Sequence, residues 1–243
     1  MADAAVPPAL RDVTAVVLAG GLGTRLRSVV SDRPKVLAEV LGRPFLAYLL
    51  DQLAAAGVVD VVLSTGYRAD QIEAAFGGGY KNLRLRYSRE EEPLGTGGAI
   101  RLAQEAARSD PLMVLNGDSY CGADLPAFAR WHRQHEAAGS LVLVEVPDVA
   151  RFGHVEVTPE GVVTRFEEKG ARQGPGWINA GVYLLSEPLV REIPVGRAVS
   201  LEREVFPRWI GNGLLGCKAL DCRFLDVGTP ESYAAAERFF ASP

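Results

Sequence analysis

No apolar run in this chain approaches the ~18–20 residues that a membrane-crossing helix needs. The longest, such as Val13–Gly21 and Leu141–Val144, are the length of strands. No basic stretch exceeds two residues and the formal net charge is −4, which excludes a broad surface for nucleic acid or anionic membrane. A small polyanion is not excluded, because a few well-placed cations suffice for one. Met1–Leu10 lacks a basic segment followed by an apolar one, so no secretory signal is read and a cytoplasmic location is expected. Cysteine is scarce. Cys121, Cys217 and Cys222 are odd in number and lack metal-type spacing, and are expected to be free thiols in a reducing compartment. His132, His135 and His154 likewise lack ligand spacing, and the first two are expected to face solvent from one helix. No Ser-His-Asp or Cys-His arrangement is evident.

What is present is a strand–helix alternation. Of the 243 residues, 48% are apolar and 23% charged, enough to bury a sizeable core. Val13–Leu18 is a β-branched run ending in glycines, as a buried parallel strand would be. Phe45–Ala56 places Phe45, Leu46, Leu49, Leu50 and Leu53 on one helical face, stopped by Gly57. Strands follow at Val58–Ser64, Leu83–Tyr87 and Leu112–Leu115, with helices at Asp70–Phe76, capped by Asp70, and at Gly98–Ala107. This succession predicts an α/β fold, a mostly parallel sheet sandwiched by helices. After Asp124 the rhythm changes: helix Leu125–Ala137, strand Leu141–Val146, then strands at His154–Val157, Val162–Phe166 and Trp177–Leu185. These read as a small antiparallel excursion, with a glycine-rich loop at Lys169–Gly176. Phe224–Val227 and helix Ser232–Phe240 close the chain. Residues 1–12 are expected to be an extension and 13–243 a single domain.

The most informative stretch is Leu18-Ala19-Gly20-Gly21-Leu22-Gly23-Thr24-Arg25-Leu26 with Pro34-Lys35. Glycines directly after a buried strand expose bare amides at the sheet's carboxyl edge, where a phosphate chain can approach them. Arg25 supplies a planar fork of donors and Lys35 a compact cation. A P-loop would end in Gly-Lys-Ser/Thr and a dinucleotide fingerprint would need glycine at position 26, which is Leu26. Asp118, in Leu115-Asn116-Gly117-Asp118-Ser119, also follows an apolar strand, and Asp226 ends Arg223–Leu225-Asp226. Hard oxygen ligands suit Mg²⁺, yet each aspartate alone is equally fit to cap a helix or turn. Glu92-Pro93-Leu94-Gly95-Thr96-Gly97-Gly98 is a second glycine-rich loop, opening a helix at Gly98. Tyr67 is fit either to line the sheet edge or simply to pack.

The run from Ala19 to Leu26 with Pro34-Lys35 resembles the signature of the sugar-1-phosphate nucleotidyltransferases. Gly21-Leu22-Gly23-Thr24-Arg25-Leu26-Arg27-Ser28-Val29-Val30-Ser31-Asp32 is particularly similar to the D-glycero-D-manno-heptose 1-phosphate guanylyltransferases, a likeness spanning Val13 to Phe239. It implies a Rossmann-like nucleotide-diphospho-sugar transferase fold and transfer of a nucleoside monophosphate from an NTP, GTP favoured, to a sugar 1-phosphate. Pyrophosphate leaves, and the NDP-sugar formed serves surface glycan synthesis. Asp118 and Asp226 would hold Mg²⁺. Leu18, Ala19, Gly20, Gly21, Gly23, Thr24, Glu92, Gly95, Thr96, Asn116 and Gly117 would surround the nucleotide, with Glu92 or backbone near Leu18 and Ala19 answering guanine. Glu168, Asn179, Gly181, Ser200 and Glu202 would meet the sugar. Lys169 would hold its phosphate, while Arg25 and Lys35 neutralise the departing charge. Mannose 1-phosphate guanylyl transfer, and thymidylyl or uridylyl transfer to other sugars, stay open. So does a non-catalytic nucleotide-sugar sensor on the same fold, although Arg25, Lys35, Asp118, Lys169 and Asp226 are all in place. A nicotinamide oxidoreductase is disfavoured by Leu26. Association of copies into a homo-oligomer is not legible.

Overall fold

A computed structural model describes residues 10–167 and 170–241. The chain begins with strand β1 (Thr14–Leu18), followed by the two-residue strands β2 (Glu39–Val40) and β3 (Arg43–Pro44) and helix α1 (Phe45–Ala55). Next come β4 (Asp60–Thr65), α2 (Ala69–Phe76), β5 (Gly79–Tyr80), β6 (Leu83–Arg89), α3 (Gly95–Ala103) and β7 (Leu112–Asn116). The second half holds β8 (Ser119–Cys121), α4 (Leu125–Gln134), β9 (Gly139–Val146), β10 (Val155–Val157), β11 (Val163–Phe166) and β12 (Gly176–Leu185). It finishes with α5 (Glu187–Arg191), α6 (Phe206–Gly211), β13 (Leu215–Leu220), β14 (Phe224–Asp226) and α7 (Pro230–Ala241). A π-helical turn, Leu201–Val205, leads into α6.

The main sheet has the order β13-β9-β12-β7-β1-β4-β6-β5. β1 pairs in parallel with both β4 and β7, and only β12 and the edge strand β5 run against their neighbours. The mostly parallel α/β architecture expected from the sequence is therefore present. β1 shows why the run is continuously apolar: Ala15 and Val17 face one core, Val16 the other, and all are fully buried. Helix α1 covers the first core with Phe45, Leu46, Leu49, Leu50 and Leu53. α3, α5 and α6 cover the second, which is centred on Tyr183, Phe206 and Trp209.

Three local expectations are corrected. Trp177–Leu185 is no appendage, because β12 sits inside the main sheet between β7 and β9, while β10–β11 forms a separate hairpin. Asp70 does not cap α2: Arg68, at φ +52°, holds the cap position, and Asp70 in the first turn pairs with Arg89 instead. His132 does not face solvent. It is buried, and its Nδ1 lies 2.8 Å from Ser140 Oγ, with burial holding its pKa below the ordinary 6.5. His135 is exposed as expected, stacked on Trp131.

Candidate functional site

The carboxyl ends of β1 and β7, the start of α3 and the β12 end of the sheet surround one cavity of about 770 Å³. From the first half of the chain its wall takes Leu18, Gly20, Gly21, Arg25, Gly95, Thr96, Asn116, Gly117 and Asp118. From the second half it takes Asn179, Ser200, Glu202 and Asp226. Ala19, Gly23, Thr24 and Lys35 line an adjoining recess that shares Leu18, Gly21, Arg25 and Asp118 with it. Glu168 and Lys169 lie outside the described residues.

The glycines of the first loop are needed for different reasons. A Cβ on Gly20 would stand 2.4 Å from Glu90 Oε1, and one on Gly66 would stand 3.2 Å from the Gly20 carbonyl. Gly23 adopts φ +59° to start the Thr24–Leu26 turn, which is pinned by buried Leu26. A Cβ on Gly21 would meet nothing of the protein, because the space beside it is cavity. Gly117 passes so close to β1 that a Cβ would lie 2.4 Å from the Leu18 carbonyl, with the Gly117 amide donating to that oxygen at 3.0 Å. The Ala19 amide donates to Ser64 O at 2.7 Å, so Leu18 and Ala19 are pinned to neighbouring strands by backbone bonds.

The two aspartates are brought to neighbouring backbone positions. β8 and β14 pair antiparallel with Asp226 opposite Ser119, and the Val227 amide donates to Asp118 O at 2.9 Å. This places Asp118 and Asp226 on one cavity wall. Lys35 Nζ donates to Asp118 Oδ2 at 2.7 Å from a largely buried stem. Asp226 Oδ1 accepts the Gly228 amide at 2.5 Å, which fixes its rotamer. Arg25 is exposed and reaches the wall beside both.

Of the three successive glutamates, Glu90 and not Glu92 enters the cavity. Glu92 is exposed and does not line it. Glu90 lies under Gly20, its Oε2 accepts the Leu94 amide at 2.8 Å, and burial raises its pKa. Helix α3 opens at Gly95, at φ +68°, rather than at Gly98, which lies inside it against Arg197 O. Its Gly97 amide donates to Val199 O at 2.9 Å. Thr96 Oγ1 accepts the Leu201 amide at 2.8 Å and donates to Glu202 Oε2 at 3.1 Å. These bonds tie the second glycine-rich loop to the Ser200–Glu202 segment.

On the opposite side, Asn179 Nδ2 donates to Tyr183 Oη at 2.8 Å and Asn179 Oδ1 accepts the Gly181 amide at 3.0 Å. Gly181 itself does not line the cavity. At φ +74° it makes room for Asn116, whose side chain a Cβ would strike at 2.7 Å. Tyr67 does not line the cavity either, and packs between Arg27 and Arg68.

Arg203 and Arg151 carried no sequence signal. Arg203 follows Glu202 in the π-helical turn and lines the cavity, and Arg151, bonded to Thr229 at 3.2 Å, flanks Asp226 in a side recess. Glu167 lines the cavity with its oxygens 3.3 Å from His154 Nδ1 and 3.6 Å from Arg165. His154, Glu156 and Glu167 come within 4.8 Å of one another at the hairpin's end, although nothing in their spacing marks a ligand set.

Residues 14–242 match the family described as nucleotidyl transferase. A mannose-1-phosphate guanylyltransferase of Mycobacterium tuberculosis is 43% identical over 230 residues, covering 93% of this chain and 64% of that relative. The chain thus spans somewhat under two thirds of that relative's length. A D-glycero-alpha-D-manno-heptose 1-phosphate guanylyltransferase of Aneurinibacillus thermoaerophilus is 35% identical, covering 92% of this chain and 96% of the relative. The crystal structure of HddC from Yersinia pseudotuberculosis complexed with GMP-PN superposes with a TM-score of 0.83 at 36% identity, covering 94% and 99% of the two chains. With the family match running across nearly all of the described sheet and cavity, the chain belongs to the nucleotidyl transferase family.

Proposed function

We propose that this protein transfers GMP from GTP to a manno-configured sugar 1-phosphate, D-glycero-α-D-manno-heptose 1-phosphate in the first instance, and releases pyrophosphate. The observation that carries the reading is a single cavity joining glycine-loop backbone and Arg25 to two carboxylates and a polar wall beyond them. The relatives named above support guanylyl transfer. Residues 13–243 are taken as one catalytic unit.

Guanine presents two donors, N1–H and the N2 amino group, on its pairing edge. Glu90 is a carboxylate lying against Gly20 of the first glycine loop, and its acceptor oxygens answer those donors. The loop from Gly20 to Thr24 leaves backbone next to open space for the triphosphate, and Arg25 adds charge. Asn179, Ser200 and Glu202 offer donors and acceptors to sugar hydroxyls, with Glu168 and Lys169 expected beside them.

The nucleophile, an oxygen of the sugar phosphate, is already anionic at neutral pH, so no general base is required. It attacks the α-phosphorus in line, a new P–O bond forms, and the bond to the β-phosphate oxygen breaks. The obstacle is repulsion between two polyanions, so positioning and charge neutralisation carry the rate. Asp118 and Asp226 are hard oxygen donors, converging from adjacent paired strands onto one wall, and fit a divalent cation of the Mg²⁺ type. When bound there, that ion supplies charge neutralisation between the two phosphates. Lys35 orients Asp118 through its 2.7 Å bond.

The 43% identity to the M. tuberculosis protein favours a second reading in which mannose 1-phosphate is the acceptor. The two sugars share their ring configuration and differ where the heptose carries one more hydroxymethylene beyond C6. A pyrophosphate-release matrix, crossing GTP, ATP, UTP, CTP and dTTP with heptose, mannose and glucose 1-phosphates, separates them. Release is expected with GTP and a manno-configured acceptor. Turnover confined to dTTP and glucose 1-phosphate would overturn the guanylyl assignment.

A further inference from the structure

The strand pair that carries the two carboxylates also carries two thiols in mutual contact. Cys121 ends β8, and Cys222 lies just before β14, whose Phe224 is paired with Cys121 itself. Their sulfurs are 3.4 Å apart although the residues are 101 positions apart in sequence. The local backbone is held on both sides: the Gly122 amide donates to Arg223 O at 2.8 Å, and Gln52 Nε2 donates to Cys121 O at 2.6 Å. Both cysteines are free thiols. Cys121 is buried at 2% exposure, whereas Cys222 is half-buried and open to a small solute.

We propose that Cys121 and Cys222 form an oxidation site, in which a hydroperoxide converts the pair to a disulfide that staples the Asp118-bearing segment to the Asp226-bearing strand. Neither thiol is used by the proposed transfer chemistry, and the closing motion is small. A disulfide needs S–S of about 2.05 Å, and side-chain rotation of Cys222 toward its neighbour supplies the difference without unpairing β8 from β14.

The two thiols have distinct parts. Burial and the contact with Cys222 hold the Cys121 thiol well above its ordinary range, whereas hydrogen bonding from Cys121 lowers that of Cys222. Cys222 is therefore the sulfur that deprotonates and meets the oxidant. Its thiolate attacks one oxygen of the hydroperoxide and breaks the O–O bond, giving a sulfenic acid and releasing hydroxide or alkoxide. Cys121 then attacks the sulfenic sulfur, loses its proton, and expels water as the disulfide forms. The net change is the loss of two hydrogens from the protein and two-electron reduction of the peroxide. Cys217 takes no part. It lies on β13 in the core on the other face of the sheet from Cys121.

The test is to treat the whole protein with excess hydrogen peroxide under native conditions, alkylate it in denaturant, and map cysteines by mass spectrometry. The expected result is a Cys121–Cys222 linked peptide, one alkylated thiol at Cys217, full reversal by dithiothreitol, and a Tm raised by roughly 5 °C or more in the oxidised form. Cys217→Ser is expected to form the same bond. Cys222→Ser, at a half-exposed position outside the cavity, is expected to leave Cys121 reduced at the same peroxide dose. Three alkylatable thiols after treatment, over-oxidised Cys222 with reduced Cys121, or disulfide-linked dimers would each overturn the proposal.

Discussion

The two sides of the cavity are built differently. On the nucleotide side, short parallel strands end together and glycine backbone forms part of the wall: Gly20, Gly21, Gly117 and Gly95 lie where a side chain would collide or would fill the cavity. On the sugar side, the wall is a network of side chains, with Asn179 bonded to Tyr183 and Gly181, and Glu202 bonded to Thr96 and Ser200. A triphosphate is recognised by amides and charge that any such loop presents, so backbone shape suffices. Telling one hexose or heptose from another requires directed hydrogen bonds, which only side chains can vary. The seam between the two sides is where Asp118 and Asp226 line the cavity.

The comparison can be broken most severely at the seam. Asp118→Asn removes one charge from the paired acids and leaves Lys35 Nζ facing a neutral amide. Turnover is expected to fall about 10²–10³-fold with the fold intact, as read by pyrophosphate release alongside circular dichroism. Wild-type-like turnover would take Asp118 out of the mechanism.

The nucleotide side is sharpened by Glu90→Gln, since the amide replaces one acceptor oxygen with an NH2 group that sets donor against guanine donor. A loss of about 10–100-fold in kcat/KM for GTP is expected, with KM for the sugar phosphate held. The same carboxylate gives a pH signature. Its pKa is raised by burial, and the protonated form loses an acceptor. KM for GTP should therefore rise as pH falls, starting above the ordinary carboxylate value of 4.5, and this onset should vanish in the variant.

Thr96→Val tests the tie between the sides. It removes the acceptor of the Leu201 amide and the donor to Glu202, at a cost of about 1–3 kcal/mol. KM is expected to rise for both substrates together. A change in one alone would show that the two loops act independently.

The smallest expected effect lies away from the cavity. Burial lowers the pKa of His132, so below its ordinary 6.5 the unfolded chain binds a proton that the folded chain refuses. Stability attributable to this group is present above that value and is lost as pH falls through it. His132→Gln, which keeps a partner for Ser140, should flatten the decline in urea midpoint between about pH 7 and about pH 5.

The same contrast explains what was legible in the sequence. β1, α1, β4 and the glycine loop were readable because their burial is periodic and local. Glu90 is hidden when the strand is read as ending at Tyr87. The strand runs to Arg89, with the Glu90 amide bonded to Thr65 O, and period-two alternation then puts Glu90 on the side of buried Ser88. β13 alternates, with Leu215 and Cys217 buried and Gly216 and Lys218 less so, but it is short and its partner β9 begins 76 residues earlier, Leu215 pairing with Gly139. The position of β12 inside the main sheet was equally hidden, since apolar runs specify burial and not neighbours. Asp118 and Asp226 were visible as candidates, but their neighbouring placement depends on the β8–β14 pairing, a contact across more than a hundred residues.

The central claim, that one cavity brings two phosphates into direct reaction, is tested by following [α-³²P]GTP. With sugar 1-phosphate and Mg²⁺ present, the label is expected to move into the GDP-sugar, leaving unlabelled pyrophosphate and no label on the protein. Label retained on the protein, or released as GMP while the sugar phosphate is untouched, would contradict it.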